Sequence, residues 1–350
     1  MISTNLNSKS TNLQINKSTN NKIALTGIKP TGLPHIGNYF GMYKPALELA
    51  EEYDTRYFIA DYHALNSLKD PVLVKELSYE VAATWLAMGL DPKESILYKQ
   101  SAVQGTFELT TFLMAFTSKG LMNRAHSYKA KVQENIELGK DPDDGVNMGL
   151  FTYPVLMAAD ILQFDSDVVP VGKDQAQHLE MTIDIAQSIN HNYRKELLKI
   201  PAAVIKEDTG YVIGLDGRKM SKSYNNTIPL FLPAKKLRKL IMKIVTNSQP
   251  IEESKDPDKC SIFALYKLFA SKEQQEELRK KYLAGGMGWG HAKQFLFEIM
   301  NETLSPIRDK YNELINDKAY IDAVLQDGAN KASEIVSRKM DFIRREIGLG

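Results

Sequence analysis

In the first part of the chain, short apolar runs alternate with longer amphipathic segments. Four of the short runs predict β-strands, at residues 22–27, 56–61, 95–100 and 167–172. The segments between them have helical periodicity and predict helices near residues 72–89, 106–138, 150–163 and 174–190. Because strands alternate with helices, we expect an α/β fold with a doubly wound parallel sheet. Pro45 lies inside the first helical pattern and should kink or restart that helix.

Beyond Pro233 the pattern becomes helical almost throughout. Apolar residues recur at helical spacing in five segments, at residues 237–244, 262–269, 273–283, 292–314 and 320–347. We therefore predict an α/β domain over residues 22–228 and an all-helical domain over residues 229–350. Residues 1–21 are rich in Asn, Ser and Thr, and this composition predicts a disordered polar tail.

Composition and charge narrow the classes of protein that fit. The chain has 350 residues, of which 43% are hydrophobic, and this is enough for two domains with sizeable cores. Its net charge of +1 gives no overall basic field, so a nucleic-acid surface would have to be a local patch. The single cysteine, Cys260, excludes an intramolecular disulfide and a multi-cysteine iron–sulfur cluster, and it fits a reducing compartment. No apolar run approaches about 18 residues, and the tail lacks a secretion or transit signal, so we expect a cytoplasmic protein without a membrane span.

A glycine-rich turn, residues 26–38, follows the first predicted strand and reads TGIKPTGLPHIGN. Its glycines let backbone N–H groups approach phosphate oxygens, and the helix that begins beside His35 adds a positive dipole. The candidate phosphate-binding residues in this turn are Lys29, Pro30, Thr31, Gly37 and Asn38. The same pattern also fits an ordinary strand–turn–helix in which the glycines serve only the turn geometry.

A second polar segment, the lysine–serine loop of residues 214–223, reads GLDGRKMSKS. Lys219 and Lys222 flank Met220 and Ser221 on a segment that contains two glycines. Flexible cations in such a loop can follow the β- and γ-phosphates of a nucleotide as pyrophosphate leaves, which makes both lysines candidate catalytic residues. The alternative is a solvated hairpin tip, because runs of charge are usually solvated.

Together the two segments resemble the HIGH and KMSKS signatures of class I aminoacyl-tRNA synthetases. Two further segments are similar to those of the bacterial tryptophanyl-tRNA synthetase family, YPVLMAADIL at residues 153–162 and DVVPVGKDQAQHLE at residues 167–180. The first resembles the helix that selects tryptophan, and the second resembles the strand and helix start that bind ribose. Asn38 stands where the usual signature has His, and Lys29 stands where many relatives have Gln.

The resemblance implies a Rossmann-like catalytic domain with a helical insertion, and a C-terminal helical domain that binds the tRNA anticodon. The implied reaction joins tryptophan to ATP, releases pyrophosphate and then transfers tryptophan to the 3′ end of tRNA(Trp). Mg²⁺ would arrive with ATP, and we expect no dedicated protein cage for a metal. The family forms homodimers, and the expected seam lies near residues 106–138, where aromatic residues exceed what one sheet layer needs: Phe107, Phe112 and Phe116.

The resemblance also assigns roles to individual residues. Those expected to bind ATP are Lys29, Pro30, Thr31, Gly37, Asn38, Gly172, Lys173, Asp174, Val212, Lys219, Met220, Ser221, Lys222 and Ser223. Those expected to catalyse are Lys219, Lys222, Lys29, Thr31 and Asn38. Those expected to bind tryptophan are Asp160, Gly27, His63, Met157 and Gln175. Asp160 follows an apolar run and would accept the indole N–H, and we expect its replacement to remove no structural partner.

Several alternatives stay open at this point. Asp160 could equally accept a phenol hydroxyl, so a tyrosine-specific enzyme of the same subclass is the nearest rival, although the Met-Ala-Ala-Asp setting favours tryptophan. A small-molecule nucleotidyltransferase has no use for the helical C-terminal residues, and a non-catalytic RNA-binding protein needs no intact phosphate motifs. A basic stripe could contact tRNA phosphates or simply be solvated, and it consists of Lys235, Lys236, Arg238, Lys239 and Lys243.

Overall fold

The computed structural model describes residues 22–205 and 211–350. Within this range, the side chains of Lys173, Asp174 and residues 203–205 are not described. The polar tail predicted for residues 1–21 lies outside the described residues.

A five-stranded parallel sheet forms the centre of the first part of the chain, with the strand order β3-β2-β1-β4-β5. The strands are β1 Ile23–Ile28, β2 Asp54–Ile59, β3 Ile96–Lys99, β4 Val168–Val171 and β5 Ala202–Ile205. The four predicted strands are confirmed, while the sequence did not predict β5. This strand has only four residues, and an apolar run that short cannot be told from a helical segment by its period.

Helices cover both faces of this sheet, as the doubly wound prediction requires. Alternate residues of β2 enter different cores, because successive side chains of a strand point to opposite faces. Tyr57 and Ile59 join one core, and Phe58 joins the other. The helices of this part are α1 Ile36–Asn38, α2 Lys44–Glu48, α3 Asp61–Ala64, α4 Pro71–Ala87, α5 Gly105–Met114, α6 Lys119–Met122, α7 His126–Glu137, α8 Met148–Phe151, α9 Tyr153–Leu162 and α10 Lys173–Tyr193.

Two local features follow from proline and from capping residues. A π-helical turn, Tyr39–Tyr43, follows α1, and the chain restarts as α2 with Pro45 in its first turn, so the predicted restart is confirmed. At the start of α4, the Asp70 carboxylate accepts from the backbone N–H of Val72 at 2.8 Å and caps the helix. The segment predicted as one helical region at 106–138 is divided into α5, α6 and α7.

The C-terminal part is helical, as the sequence predicts. Its helices are α11 Ala234–Ile241, α12 Ser261–Tyr266, α13 Lys272–Ala284, α14 Trp289–Asn316 and α15 Lys318–Ile347. Leu237 and Ile241 of α11 are buried, while its lysines are exposed, which is the amphipathic arrangement that the apolar spacing predicts.

The last helix, α15, returns to the sheet and packs against β3. A Cβ built at Gly328 would lie 1.9 Å from the backbone oxygen of Leu97, so only glycine permits this close approach. Further along α15, the Lys339 ammonium bonds to the Asp165 carboxylate at 2.6 Å and to the Leu197 carbonyl at 2.8 Å. One core therefore contains residues from both sides of residue 228. The division of the chain at that residue stays a prediction.

The strand order places a switch point between β1 and β4, which lie side by side at the centre of the sheet. From β1 the chain crosses to β2 on one side, and β4 begins the other side. In open parallel sheets, ligands bind outside the carboxyl ends of the strands at such a point. The glycine-rich turn leaves the carboxyl end of β1, and Gly172 follows the carboxyl end of β4.

Candidate active site

The glycine-rich turn is held by a reciprocal cap at the start of α1. The His35 Nδ1 atom accepts from the Asn38 N–H at 3.3 Å, and the Asn38 side-chain oxygen accepts from the His35 N–H at 3.0 Å. Burial and the charge of Lys222 lower the pKa of His35 to about 4, so the imidazole is neutral at pH 7 and able to accept. The cap uses only the oxygen of the Asn38 amide, so it does not require the donors of the amide nitrogen.

The lysine–serine loop lies directly against this turn. The Lys222 ammonium donates to the Thr31 carbonyl at 3.0 Å, and the Gly37 N–H donates to the Met220 sulfur at 3.4 Å. Met220 is only 4% exposed, while Lys219, Lys222 and Ser223 are exposed. The structure therefore brings together the two segments that the sequence identified, across a separation of more than one hundred residues along the chain.

Glu80 of α4 is an electrostatic neighbour of this loop that the sequence did not predict. Partial burial lowers the pKa of Lys222, and the charge of Glu80 opposes that shift. In turn, burial raises the pKa of Glu80, and Lys222 opposes the rise. Neither a motif nor a period of the sequence distinguishes Glu80 from the other charged residues of α4.

The residues expected to bind ATP beyond the glycine-rich turn are described only in part. The Met220 N–H donates to the Val212 carbonyl at 2.8 Å, but Val212 lies outside any strand, because the loop is closed by a single bridge between Ile213 and Lys219. Gly172 is the N-cap of α10, and the side chains of Lys173 and Asp174 lie outside the described part, so the ribose site stays a prediction.

Asp160 of α9 lies at the centre of a buried network. The carboxylate is 1% exposed and accepts from the Gln100 amide at 2.9 and 2.8 Å and from the His63 Nε2 atom at 3.0 Å. Burial raises the pKa of Asp160, while the bonds from His63 and Gln100 oppose that rise. The sequence missed Gln100, although its place just after β3, at the carboxyl edge of the sheet, was the available signal.

The expectation that Asp160 has no structural partner is wrong. Removing its carboxylate would leave the buried amide of Gln100 and the buried ring of His63 without the acceptor that they share. An unsatisfied buried polar group costs about 1–3 kcal/mol. Asp160 thus contributes to the fold, whatever its role in the candidate site.

Aromatic rings connect this network to the glycine-rich turn. The Tyr153 ring lies 4.2 Å from the ring of His63 and 5.3 Å from the ring of His178, measured between centroids. On the turn side, the Lys29 ammonium lies 5.5 Å from the centre of the Tyr153 ring. His178 Nδ1 bonds to the Gln175 side-chain oxygen at 3.0 Å. Three residues expected in the site, Lys29, His63 and Gln175, are thus linked by Tyr153 and His178, to which the sequence assigned no role.

Two of the residues expected to bind tryptophan have packing roles of their own. Gly27 lies near the carboxyl end of β1, where a Cβ would be 2.2 Å from the ring of Phe58, so packing alone requires glycine there. Met157 of α9 is partly buried and packs against the core that contains Phe58.

Among residues 22–205 and 211–350, no group of three or more His, Cys, Asp or Glu side chains is arranged to hold a metal ion. Over the same residues, no helix combines the length and the apolar character needed to cross a membrane. Cys260 is buried, with its sulfur 3.5 Å from the Tyr282 hydroxyl.

A doubly wound sheet, a glycine-rich turn in contact with a lysine–serine loop, and a buried carboxylate define a class I synthetase. The family model described as tRNA synthetases class I (W and Y) matches residues 17–305, and the chain belongs to this family. It is 48% identical over 329 residues to a tryptophan–tRNA ligase of Pseudomonas putida, covering 93% of this chain and 73% of the relative. It is 46% identical over 331 residues to a tryptophan–tRNA ligase of Neisseria meningitidis, covering 94% and 98%.

A solved structure resembles the fold closely. The crystal structure of tryptophanyl-tRNA synthetase from Campylobacter jejuni complexed with ADP and tryptophan has a TM-score of 0.86 to this chain. The two chains are 43% identical, and the match covers 93% of this chain and 100% of the other.

Proposed function

We infer that this chain is a tryptophan–tRNA ligase. It activates L-tryptophan with ATP to give tryptophanyl-adenylate and pyrophosphate, and it then transfers tryptophan to the 3′ end of tRNA(Trp) for protein synthesis. The observation that carries this inference is the buried Asp160 carboxylate, bonded to His63 and Gln100, beside the paired phosphate segments. Relatives 46–49% identical over more than nine tenths of the chain are tryptophan–tRNA ligases.

We propose that activation depends on position and charge rather than on covalent catalysis. A tryptophan carboxylate oxygen attacks the α-phosphorus of ATP, and the bond from that phosphorus to the bridging oxygen of pyrophosphate breaks. Lys222 and Lys219 stabilise the charge that develops on the departing pyrophosphate. Backbone N–H groups of the glycine-rich turn and the amide of Asn38 hold the phosphates, while Thr31 and Lys29 border the same space. Holding both anions in line can contribute about 7–11 kcal/mol to lowering the barrier.

Binding of ATP requires rearrangement of the loop contacts. The Gly37 N–H and the Lys222 ammonium are bonded to the protein itself, to the Met220 sulfur and the Thr31 carbonyl. Phosphate oxygens are stronger acceptors than either, because they carry negative charge. The Gly37 N–H would gain a charge-assisted bond, and the Lys222 ammonium would gain an ionised partner in place of a neutral carbonyl. ATP would displace both contacts, and Mg²⁺ would arrive with the nucleotide as part of the substrate.

Selection of tryptophan would depend on the acceptor capacity that Asp160 retains. A carboxylate offers about four lone-pair sites, and His63 and Gln100 account for three hydrogen bonds. The indole N–H would take the remaining site, or it would replace one of the two bonds from Gln100. The rings of Tyr153 and His63, with Met157, would then border the indole.

The proposed function also implies a homodimer, a tRNA partner and a cytoplasmic location. A homodimer seam along α5–α7 is supported by Tyr62, which is 44% exposed beside Phe107, and by the partly buried pair Phe112 and Phe116. The exposed basic stripe of α11 and the other C-terminal helices would meet tRNA(Trp). Protein synthesis would place the enzyme in the cytoplasm.

Amino-acid-dependent exchange of pyrophosphate into ATP tests the function. In the absence of tRNA, tryptophan with Mg²⁺ should support exchange, and tyrosine should support it far less. The family model covers both specificities, so tyrosine is the informative control. Exchange with tyrosine alone would assign the chain to the tyrosine branch, and exchange with neither would contradict the proposal.

A further inference from the structure

Asn226, just after the lysine–serine loop, is a buried polar residue to which neither the sequence nor the proposed reaction gives a role. It is 2% exposed, and its side chain contacts three points of the loop. The Asn226 oxygen accepts from the Ser221 N–H at 2.8 Å. The Asn226 nitrogen donates to the Lys219 carbonyl at 3.0 Å and to the Asp216 carboxylate at 2.7 Å. One amide therefore bonds to both backbone ends of the Lys219–Met220–Ser221 turn.

Asp216 fixes the direction in which this amide faces. The Asp216 carboxylate also accepts from the Arg218 backbone N–H at 3.1 Å and from the Arg218 guanidinium at 2.7 Å. The bond from Asn226 and those from Arg218 lower the pKa of Asp216 to about 2, so the carboxylate is ionised at neutral pH. An ionised carboxylate can only accept, so the NH₂ group of Asn226 must face it and the oxygen must face Ser221.

The backbone that Asn226 holds carries the residues that contact the glycine-rich turn. Met220, between the two bonded positions, accepts from Gly37, and Lys222, one residue beyond, donates to Thr31. A shift of the turn at Lys219–Ser221 would therefore move both lysine side chains relative to the phosphates. We propose that Asn226, oriented by Asp216, is a positioning residue. It holds the backbone of the lysine–serine loop in the position that adenylate formation requires.

Asn226→Asp tests this role, which rests on the proposed function because it acts through Lys219 and Lys222. The new carboxylate still accepts from the Ser221 N–H, but it cannot donate. It would therefore repel the Asp216 carboxylate and the Lys219 carbonyl oxygen, to which Asn226 donates. We expect the rate of adenylate formation in single turnover to fall about 10- to 100-fold, since displacement of a catalytic group by about 1 Å can cost 10²-fold. The equilibrium Kd for tryptophan should change less than 2-fold, because tryptophan binds at Asp160.

Asp216→Asn is the second variant, and it leaves Asn226 in place. It removes the charge that orients the amide, and we expect a smaller loss of rate, about 3- to 10-fold. The double variant, Asp216→Asn with Asn226→Asp, exchanges the two side chains. The amide at position 216 can then donate to the carboxylate at position 226, so the bond is restored in the reverse direction. The double variant should therefore be faster than Asn226→Asp alone, whereas two independent lesions would make it slower.

Asn190→Asp is a matched control far from the loop. Asn190 also spans a bend with one amide, since its nitrogen donates to the Leu198 carbonyl at 2.7 Å and its oxygen accepts from Leu197 and Leu198. The control should lower the free energy of unfolding and leave the single-turnover rate of the folded enzyme unchanged. All rates are measured at a temperature where circular dichroism shows each variant to be folded.

The outcomes separate this inference from the proposed function. If the wild type exchanges pyrophosphate with tyrosine rather than with tryptophan, the proposed specificity fails, and Asn226→Asp is then tested with tyrosine. A folded Asn226→Asp with a wild-type rate overturns the inference while the function stands. If Asn226→Asp does not fold, Asp216→Asn decides alone: a 3- to 10-fold loss with unchanged tryptophan Kd supports the role, and a wild-type rate overturns it.

Discussion

The two ends of the proposed active site differ in how their polar groups are satisfied. At the amino-acid end, Asp160 is almost fully buried and bonded to two side chains, Gln100 and His63. At the phosphate end, the cationic side chains are exposed, and one ammonium–carbonyl bond and one amide–sulfur bond connect the lysine–serine loop to the glycine-rich turn. The first end is assembled before substrate arrives, whereas the second has contacts that a phosphate can replace.

This difference has an energetic consequence. Buried polar groups are costly to leave unpaired, so the Asp160 network would discriminate strongly against a ligand that cannot complete it. The Lys222–Thr31 bond is exposed to water and the Gly37 N–H bonds only to a sulfur, which is a weak acceptor, so these contacts contribute little to stability. The loop would exchange them for stronger contacts as charge develops on pyrophosphate. The amino-acid end would therefore determine specificity, and the phosphate end would determine rate.

The largest expected effect is discrimination against phenylalanine. Phenylalanine lacks the indole N–H and would desolvate Asp160 without donating to it, and a site of this kind can reject such an analogue by about 10⁴–10⁵. Asp160→Ala should reduce kcat/KM for tryptophan and narrow its lead over phenylalanine. Asp160→Asn should be milder, because the amide oxygen still accepts. The measurement is kcat/KM for both amino acids with each enzyme.

Stability measurements accompany this test, because Asp160 also serves the fold. Asp160→Ala should lower the free energy of unfolding by about 1–3 kcal/mol as the Gln100 amide and the His63 ring lose their acceptor. Urea unfolding monitors this loss, and activity is compared only under conditions where the variant is folded. A folded Asp160→Ala that keeps the wild-type preference for tryptophan would place selection elsewhere in the pocket.

The next largest effect is expected for Lys222→Ala. The transition state should lose about 2.7–4 kcal/mol, by analogy with the removal of one oxyanion donor, while tryptophan affinity stays nearly unchanged. Single-turnover adenylate formation and equilibrium binding of tryptophan measure the two quantities separately. Lys331→Ala, at an exposed lysine of α15 that pairs with Asp327, is the control and should match the wild type. A Lys222→Ala enzyme with a wild-type rate would show that the loop is not catalytic.

The phosphate end was easier to predict from the sequence than the amino-acid end. Lys222 and Thr31 belong to contiguous motifs, and the fold confirms that these motifs meet. By contrast, Gln100 and His178 lie outside α9, the helix that carries Tyr153 and Asp160. Only packing brings Gln100 to Asp160, and only packing brings Tyr153 to His178 and Lys29. A single sequence carries no signal for a bond formed between two distant side chains, apart from the strand end that precedes Gln100.

The strands and helices show the same limit. Four strands and the long helices have clear periods, and the sequence predicts them. The sequence missed the four-residue β5, and it gave no sign that α15 returns to β3, because that contact depends on Gly328 meeting the backbone of Leu97. A glycine inside a helical pattern is ordinary until its neighbour in space is known.

The smallest expected effect is a difference in pH dependence between the two ends, and it begins with His35. Its pKa is lowered to about 4 from 6.5, so between these values the unfolded chain binds a proton that the native state does not. The wild type should therefore lose stability as pH falls through this window, and His35→Asn, a non-titrating N-cap, should not. From pH 7 to pH 5 the stability advantage of the wild type over the variant should shrink by about 2 kcal/mol, because about 1.5 pH units of this window lie between the two pKa values.

The change of stability with pH that Asp160 causes should have the opposite sign. Burial raises its pKa above 3.8, so at pH values just above 3.8 the native state binds a proton more readily than the unfolded chain. The wild type should therefore gain stability relative to Asp160→Asn as pH falls through that window. Urea unfolding of the wild type and both variants from pH 7 to pH 4 measures both effects. If the two stability differences change in the same direction with pH, the contrast is contradicted. At least one of the two groups, His35 or Asp160, would then lie in an environment that does not favour its neutral form.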